Sequence, residues 1–172
     1  MVWRVFRQSF CLFITCFIAL PSTIAAADIV GKANVVSGDI LEIAGQNIRL
    51  RGVDAAEPGQ SCLTKHSQVY HCGRNAAIAL MAITNGVEVA CRDEKPDPRP
   101  DAAGRLIADC FVGRFDLGRQ LVLSGFAFAE RPGGEQYFDD EDAARRLPEG
   151  MWKGKFNMPW QWRAGERLAD LP

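Results

Sequence analysis

The sequence predicts an α+β fold that is mainly β, a five-stranded barrel with about three appended helices. Apolar residues alternate in two runs, Ile40–Ile43 and residues 47–53, on either side of a short turn, which is typical of a β-hairpin. Three expected strands, one helix and two further strands precede the last helices. The length of the chain is enough for one hydrophobic core. This order and length fit an OB-fold, and another small α+β domain is the alternative.

The individual elements follow from local patterns of residue types. The first helix is rich in Ala, Leu and Met and ends at Asn85-Gly86, and the last begins with acidic residues and ends with basic ones, as the helix dipole favours. A Pro-rich, mixed-charge segment at 92–103 is expected to be an exposed loop. The expected strands are 28–36, 39–43, 47–53, 87–91 and 105–112, and the expected helices are 75–84, 116–123 and 139–147.

An N-terminal signal peptide is expected over residues 1–27. Arg4 and Arg7 make its start positive, residues 10–20 are apolar, and residues 25–27 are alanines that a signal peptidase accepts. The apolar run is short for a membrane-spanning helix. We therefore expect an exported protein, periplasmic or secreted, that does not associate with the membrane after signal removal.

The remaining segment, residues 28–172, is expected to be one monomeric domain, with a core at about 29–152 and an aromatic C-terminal tail at 153–172. An uncleaved anchor and a lipoprotein modified at Cys16 are the alternatives to signal cleavage. The signal takes two of the 20 basic residues and none of the 21 acidic ones, so the domain carries 18 against 21, a net charge of −3. This balance argues against tight non-specific binding to nucleic acid duplexes.

Four cysteines lie outside the expected signal, and an even number in an exported chain predicts two disulfides. Of the three possible connectivities we favour Cys62–Cys72, which closes a short loop, and Cys91–Cys110, which joins two expected strands. Zinc is the alternative, because two histidines lie near the first pair. It is disfavoured because the chain has no Cys-x-x-Cys pair and an oxidising compartment favours disulfides.

Charged residues are concentrated in the hairpin and its exit, residues 37–58. A hard divalent cation prefers carboxylate oxygens, and guanidinium groups bind phosphate oxygens in a bidentate way. The stretch therefore predicts a metal and phosphate site, although Arg51 is expected to be a surface or structural residue. The charged residues of interest are Asp39, Arg49, Arg51, Asp54 and Glu57.

Several short motifs, taken together, resemble the staphylococcal nuclease family, also called thermonuclease-like proteins. Their joint order carries the resemblance over about residues 29–152, and the segment 158–163 is similar to the tail of exported bacterial homologues. The motifs are Ser37-Gly38-Asp39, Arg49-Leu50-Arg51-Gly52-Val53-Asp54, Glu57, Gly104-Arg105 and Gly150-Met151-Trp152.

The resemblance implies a calcium-dependent nuclease on an OB-fold, a phosphodiesterase that acts on DNA and RNA. Two aspartates hold the calcium in such enzymes, and they correspond to Asp39 and Asp54 here. The backbone carbonyl of Ala55 is a weaker candidate for the same role.

The resemblance also assigns the residues that act on the phosphate. Arg49 and Arg105 would stabilise the phosphate, and Glu57 would be the general base that activates water. Tyr137 lies where the family has residues near the substrate, and it is a weak candidate for substrate binding.

The chain departs from the family pattern around the expected metal. The usual Asp-Gly-Asp-Thr turn reads Ser37-Gly38-Asp39-Ile40, the usual threonine is Ala55, and the usual aromatic residue before Gly-Arg is Ala103. Fewer charges near calcium predict weaker binding of the ion. The alternative function is therefore a catalytically weak or inactive exported OB-fold domain that binds an oligonucleotide, a glycan or a protein.

Overall fold

The computed structural model describes residues 28–93 and 100–169, so the expected signal peptide and the middle of the Pro-rich loop lie outside the described residues. None of the helices in these two ranges is long and apolar enough to cross a membrane. The strands are Ile29–Lys32 (β1), Asn34–Val35 (β2), Ile40–Ile43 (β3), Gln46–Leu50 (β4), Val53–Ala55 (β5), Cys62–Leu63 (β6), Val69–Tyr70 (β7), Glu88–Arg92 (β8), Leu106–Val112 (β9), Phe115–Asp116 (β10) and Ala127–Ala129 (β11). The α-helices are Cys72–Thr84 (α1), Leu117–Leu123 (α2), Phe138–Arg146 (α3) and Pro159–Arg163 (α4), with short 3-10 turns at Glu135–Tyr137 and Gly150–Lys153.

The main sheet is nearly closed and barrel-like, which confirms the predicted α+β OB-fold. Its strand order is β1-β8-β9-β4-β3-β2, and β10 adds to β9. All neighbouring strands are antiparallel except β4 and β9, where Ile48 lies opposite Leu106 in a parallel ladder. This parallel pairing places the end of the Pro-rich loop, which precedes β9, beside the hairpin.

The β3–β4 hairpin follows from its sequence. Ala44 and Gly45 both have positive φ, 51° and 80°, as a two-residue hairpin turn of the favoured type requires. Leu41 and its cross-strand partner Ile48 are buried on the barrel side. Because side chains alternate along a strand, Arg49 lies on the opposite face.

Gly52 divides the strand that the sequence predicted as continuous over 47–53. Its φ of 70° turns the chain after β4, so β5 leaves the main sheet and pairs with β11. Val53 is buried as a result and does not share the face of Arg49. The turn also brings Asp54 to the edge of the barrel.

Arg51 has the structural role expected of it. Its Nε donates to Asp109 at 3.0 Å, and its Nη2 donates to the carbonyl oxygen of Ile107 at 2.6 Å and to Asp93. These contacts join the end of β4 to β9 and its surroundings, and Arg51 is not among the residues that line the candidate site.

Both predicted disulfides are present. Cys91 and Cys110 are direct partners in the β8–β9 ladder, with an S–S distance of 2.07 Å. Cys62 in β6 is bonded to Cys72, with an S–S distance of 1.99 Å. Cys72 is also the first residue of α1, so the helix begins three residues before residue 75, the expected start.

The C-terminal tail packs back on the domain, as its aromatic content predicts. Phe128, Trp152 and Phe156 have ring centroids 5.1–5.3 Å apart. Leu63 and Lys155 exchange backbone hydrogen bonds of 2.9 Å, so the tail also extends the small β6–β7 hairpin. That hairpin and helix α4 were not among the expected elements.

Candidate functional site

A cavity of about 700 Å³ opens where the start of β3, the exit of β5 and the loop before β9 meet. The five charged residues that the family resemblance assigned to metal binding and phosphate chemistry all line it, whereas Arg51 does not. A sixth, Arg163 at the end of α4, was not expected there. The charged residues that line the cavity, apart from Asp101, are Asp39, Arg49, Asp54, Glu57, Arg105 and Arg163.

Asp39 immediately precedes β3 and has little solvent around it. Burial raises the pKa of its carboxyl group, and the charge of Asp54 acts in the same direction. The hydroxyl of Ser37, which donates to Asp39 at 2.8 Å, the guanidinium of Arg49, whose Nε lies 3.9 Å away, and the backbone N–H of Ala55 oppose this rise. The net rise of the pKa means that these neighbours do not fully offset the effect of burial on the ionised carboxylate of Asp39. A nearby cation would stabilise that ionised form further.

Arg49 is held at the cavity by a carboxylate that follows β11. Its Nη2 donates to Glu130 at 2.5 Å, and Glu130 in turn donates its backbone N–H to Gly52 at 2.9 Å. Burial opposes the charged form of Arg49, but Glu130 and Asp39 outweigh it and the pKa of the guanidinium is raised. The Gly52 turn therefore positions the partner of Arg49 as well as the strand end.

Arg105 enters the cavity from a tight turn before β9. Its Nε donates to Asp101 at 2.6 Å, and Asp101 also accepts from the backbone N–H groups of Arg105 and Ala103 at 3.0 and 2.9 Å. Burial acts against the ionised form of Asp101, but these donors lower the pKa of its carboxyl group. The turn thus holds the direction of the Arg105 side chain.

Arg163 contacts two of the acidic residues directly. Its Nη1 and Nη2 donate to the two oxygens of Asp54 at 2.9 and 2.7 Å, and Nη1 also donates to Glu57 at 2.6 Å. The side chain of Asp54 is 5% exposed, whereas that of Glu57 is 32% exposed. Chiefly through Asp54, these bonds raise the pKa of Arg163.

Glu57 lies in a loop that is held at three points. Its backbone N–H donates to the buried side chain of Gln60 at 3.1 Å, and Gln60 donates to the carbonyl oxygen of Asn157 at 2.7 Å. The start of α1 packs so closely that a Cβ atom on Gly73 would lie 1.7 Å from the carbonyl oxygen of Glu57. The loop, the first helix and the tail therefore form one packed unit.

Replacing Gly73 with alanine is expected to displace the Glu57 loop and to lower the free energy of unfolding by about 1–3 kcal/mol, as overpacking does. Thermal unfolding would measure the stability loss. Gly59→Ala is the matched control, because a Cβ atom there meets nothing within 4 Å. Equal melting temperatures for the two variants would contradict the close packing of α1 against the loop.

Two weaker candidates from the sequence do not line the cavity. Tyr137 is 1% exposed in the core, and its hydroxyl donates to Asp116 at 3.0 Å. Burial and the charge of Asp116 raise the pKa of this phenol. The structure does not bring Tyr137 to the site, because α2 and the preceding turn cover it. Ala55 is buried behind Asp39, and its neighbour Ala56 lines the cavity instead.

Three charged residues of the site were missed in the sequence. Asp101 stands four residues before Arg105, and Glu130 follows β11, but neither position belongs to a motif. Arg163 ends the segment Met158-Pro159-Trp160-Gln161-Trp162-Arg163, for which the sequence predicted only an aromatic tail similar to that of exported bacterial homologues. A basic residue beside that aromatic cluster was the available signal.

The donor set fits a hard divalent cation. Asp39 and Asp54 face the same cavity with carboxylate oxygens, the ligands that calcium prefers, and the raised pKa of Asp39 marks a carboxylate that lacks enough positive charge. Across residues 28–93 and 100–169, no group of three or more His, Cys, Asp or Glu side chains is arranged to hold a metal ion. The guanidinium of Arg163 provides the positive charge beside Asp54 and Glu57.

Comparison with known proteins places this geometry in context. The family described as "Staphylococcal nuclease homologue" matches residues 47–154. The succinoglycan biosynthesis protein ExoI of Rhizobium meliloti (strain 1021) is 33% identical over 138 residues, which cover 76% of this chain and 68% of that protein. The family match includes Arg49, Asp54, Glu57 and Arg105, whereas Arg163 follows it.

Proposed function

The chain belongs to the family of staphylococcal nuclease homologues, and from that membership we propose that it is an exported calcium-dependent nuclease that hydrolyses phosphodiester bonds in DNA or RNA. The observation that carries the proposal is the convergence of five charged side chains on one cavity. Four come from residues 39–57 and the fifth from the turn before β9, and each is a residue type that phosphodiester hydrolysis can use. They are Asp39, Arg49, Asp54, Glu57 and Arg105.

Two arginines are suited to stabilise the phosphate. A guanidinium carries five N–H donors, so the contacts of Arg49 with Glu130 and of Arg105 with Asp101 leave further donors for phosphate oxygens. Their carboxylate partners hold each guanidinium in place before the substrate arrives. Such preorganised positive charge stabilises the negative charge that develops in the transition state.

Glu57 is suited to be the general base. It is a carboxylate at the cavity on a loop that Gln60 and α1 hold in place, and it is partly accessible to water. In the proposed reaction Glu57 accepts a proton from the water that attacks phosphorus, and the bond to the leaving oxygen breaks on the opposite side.

Asp39 and Asp54 are the residues that would hold calcium, with Ser37 orienting the Asp39 carboxylate through its hydroxyl. When bound, calcium would polarise the phosphate and offset its charge. The loss of an acidic residue at position 37 leaves fewer charges around the ion, so we expect weaker calcium binding than the family pattern implies.

The test is cleavage of DNA and RNA by the purified, oxidised protein with calcium and then with a chelator. Cleavage should require the cation, and Arg105→Gln should lower the rate by about a hundredfold or more, as removal of a transition-state donor does. Arg114→Gln is the control, because Arg114 is exposed on the β9–β10 turn over Phe115. The proposal fails if the folded protein cleaves neither substrate with any divalent cation.

One observation favours the second candidate function, an exported domain that binds an oligonucleotide, a glycan or a protein without cleaving it. Arg163 already neutralises Asp54 and Glu57, the residues on which metal binding and base catalysis would depend. Under this alternative, binding of the ligand would be unchanged in Glu57→Gln and Asp39→Ala, and calcium would not raise the melting temperature.

A further inference from the structure

We propose that Arg163 is the internal counter-cation of Asp54 and Glu57, and that a divalent cation must displace it in order to bind. This inference rests on the proposed function in one respect, namely that the carboxylates of this cavity receive a metal ion. Arg163 makes three hydrogen bonds to these carboxylates at 2.6–2.9 Å. Both oxygens of Asp54 are engaged, so its carboxylate is already satisfied by a cation.

The position of Arg163 is determined by the docked tail. Lys155 pairs with Leu63 through the backbone, and the carbonyl oxygen of Asn157 accepts from the buried Gln60. Helix α4 then begins at Pro159, a residue suited to a first helical position, and the backbone N–H of Met158 donates to Gln161 at 2.8 Å. Two anchors to the domain and one contact at the start of the helix thus precede the guanidinium, and they support a specific contact of Arg163 with the carboxylates.

Arg163 and a divalent cation would compete for the same oxygens. A calcium ion binds a carboxylate through the lone pairs that the guanidinium now occupies, and two cations close to one carboxylate repel each other. Asp54 is almost fully buried, so the charge of its carboxylate requires a partner at all times. Arg163 supplies that partner when the tail is docked, and calcium would supply it when the guanidinium moves away.

The same contact affects Glu57. The hydrogen bond of 2.6 Å from Arg163 occupies a lone pair of the Glu57 carboxylate, and that lone pair is then not available to accept a proton from water. Movement of Arg163 would release both the metal ligand Asp54 and the general base Glu57 in one step. Because Arg163 is 47% exposed while Asp54 is 5% exposed, the arginine is the partner that can move into solvent.

The experiment is calorimetric titration of the purified, oxidised protein with calcium alone, without nucleic acid. Arg163→Gln is expected to bind calcium about tenfold more tightly than the unaltered protein, in the usual range for coupled sites. Arg167→Gln is the matched control, because Arg167 lies on the same tail and contacts Trp162 and the carbonyl oxygen of Glu166. It removes the same charge from the tail, and its calcium affinity should be unchanged within about twofold.

Hydrogen exchange of the unaltered protein gives a second readout that needs no variant. Calcium should accelerate exchange of the backbone amides at 158–163. If the contact of Arg163 with the carboxylates weakens calcium binding, then by linkage calcium binding must weaken that contact. This measurement decides the question if Arg163→Gln does not fold.

The outcomes separate this inference from the proposed function. Unchanged or weaker calcium binding in Arg163→Gln overturns the proposed displacement. The proposal is also overturned if calcium slows hydrogen exchange in the tail or leaves it unchanged. If neither protein binds calcium, the inference is also overturned, whereas cleavage with another divalent cation would still support a nuclease. If Arg163→Gln binds calcium more tightly but no nucleic acid is cleaved, the displacement of Arg163 is supported and the proposed nuclease activity is not.

Discussion

Replacement of Glu57 with glutamine is expected to lower the rate of phosphodiester cleavage by about a hundredfold or more, because loss of a general base typically has effects of this size. Glutamine has the same shape but cannot accept the proton of the attacking water. Since the side chain of Glu57 is partly exposed, the fold should not depend on its charge. Initial rates at saturating calcium, together with the melting temperature, would measure both effects.

Glu88→Gln is a suitable control for the same change of charge, because Glu88 is an exposed residue of β8 outside the cavity. Its rate should match that of the unaltered protein. If Glu57→Gln kept a rate within about threefold of that value, Glu57 would not be the base, whose loss has much larger effects. A water molecule activated by another group would then have to be sought.

Replacement of Glu141 with alanine is expected to have the largest effect on stability, a loss of about 2–4 kcal/mol in the free energy of unfolding, from an unsatisfied buried N–H group and a cavity. Glu141 is fully buried, yet it accepts from the backbone N–H of Ala129 at 2.7 Å and from the side chains of Arg131 and Arg145. Its removal leaves one buried N–H group and two guanidiniums without their acceptor. The melting temperature should fall by roughly 10 °C for a chain of this length.

Glu149→Ala provides the comparison for an exposed ion pair. The side chains of Glu149 and its partner Lys153 are 52% and 60% exposed, so the loss should be about 0.5 kcal/mol or less. Similar melting temperatures for Glu141→Ala and Glu149→Ala would show that the buried network contributes no more than a surface pair.

The Glu141 network also lies beside the candidate site, because Ala129, whose backbone N–H group donates to Glu141, directly precedes Glu130, the partner of Arg49. Glu141→Ala should therefore also reduce the cleavage rate of the molecules that remain folded.

The hairpin and the four charged cavity residues at 39–57 could be predicted from the sequence because their signals are local. Alternation around Ala44-Gly45 determines which side of β4 is buried, and that places Arg49 on the other side. The pairing of Cys91 with Cys110 follows from two neighbouring strands. Motif spacing then related Arg105, which immediately precedes a later strand, to the hairpin.

The partners of Arg49 and Glu57 could not be predicted, because these contacts join segments distant in sequence. Arg49 and Glu130 are 81 positions apart, and Arg163 and Glu57 are 106 positions apart. Helix α4 has only five residues, too few for apolar periodicity to reveal it. Tyr137 was misplaced for a related reason, since only the packing of the turn against α2 shows that its hydroxyl faces Asp116.

The contact between Arg163 and Asp54 has a consequence for the order in which a ribosome makes this protein. Asp54 is synthesised 109 residues before its guanidinium partner, and Gln60 is synthesised 97 residues before its carbonyl partner, Asn157. A nascent chain whose barrel has closed therefore still lacks the counter-charge for a buried carboxylate and the acceptor for a buried amide. Translation has to reach the last helix before the acidic half of the cavity is electrically balanced.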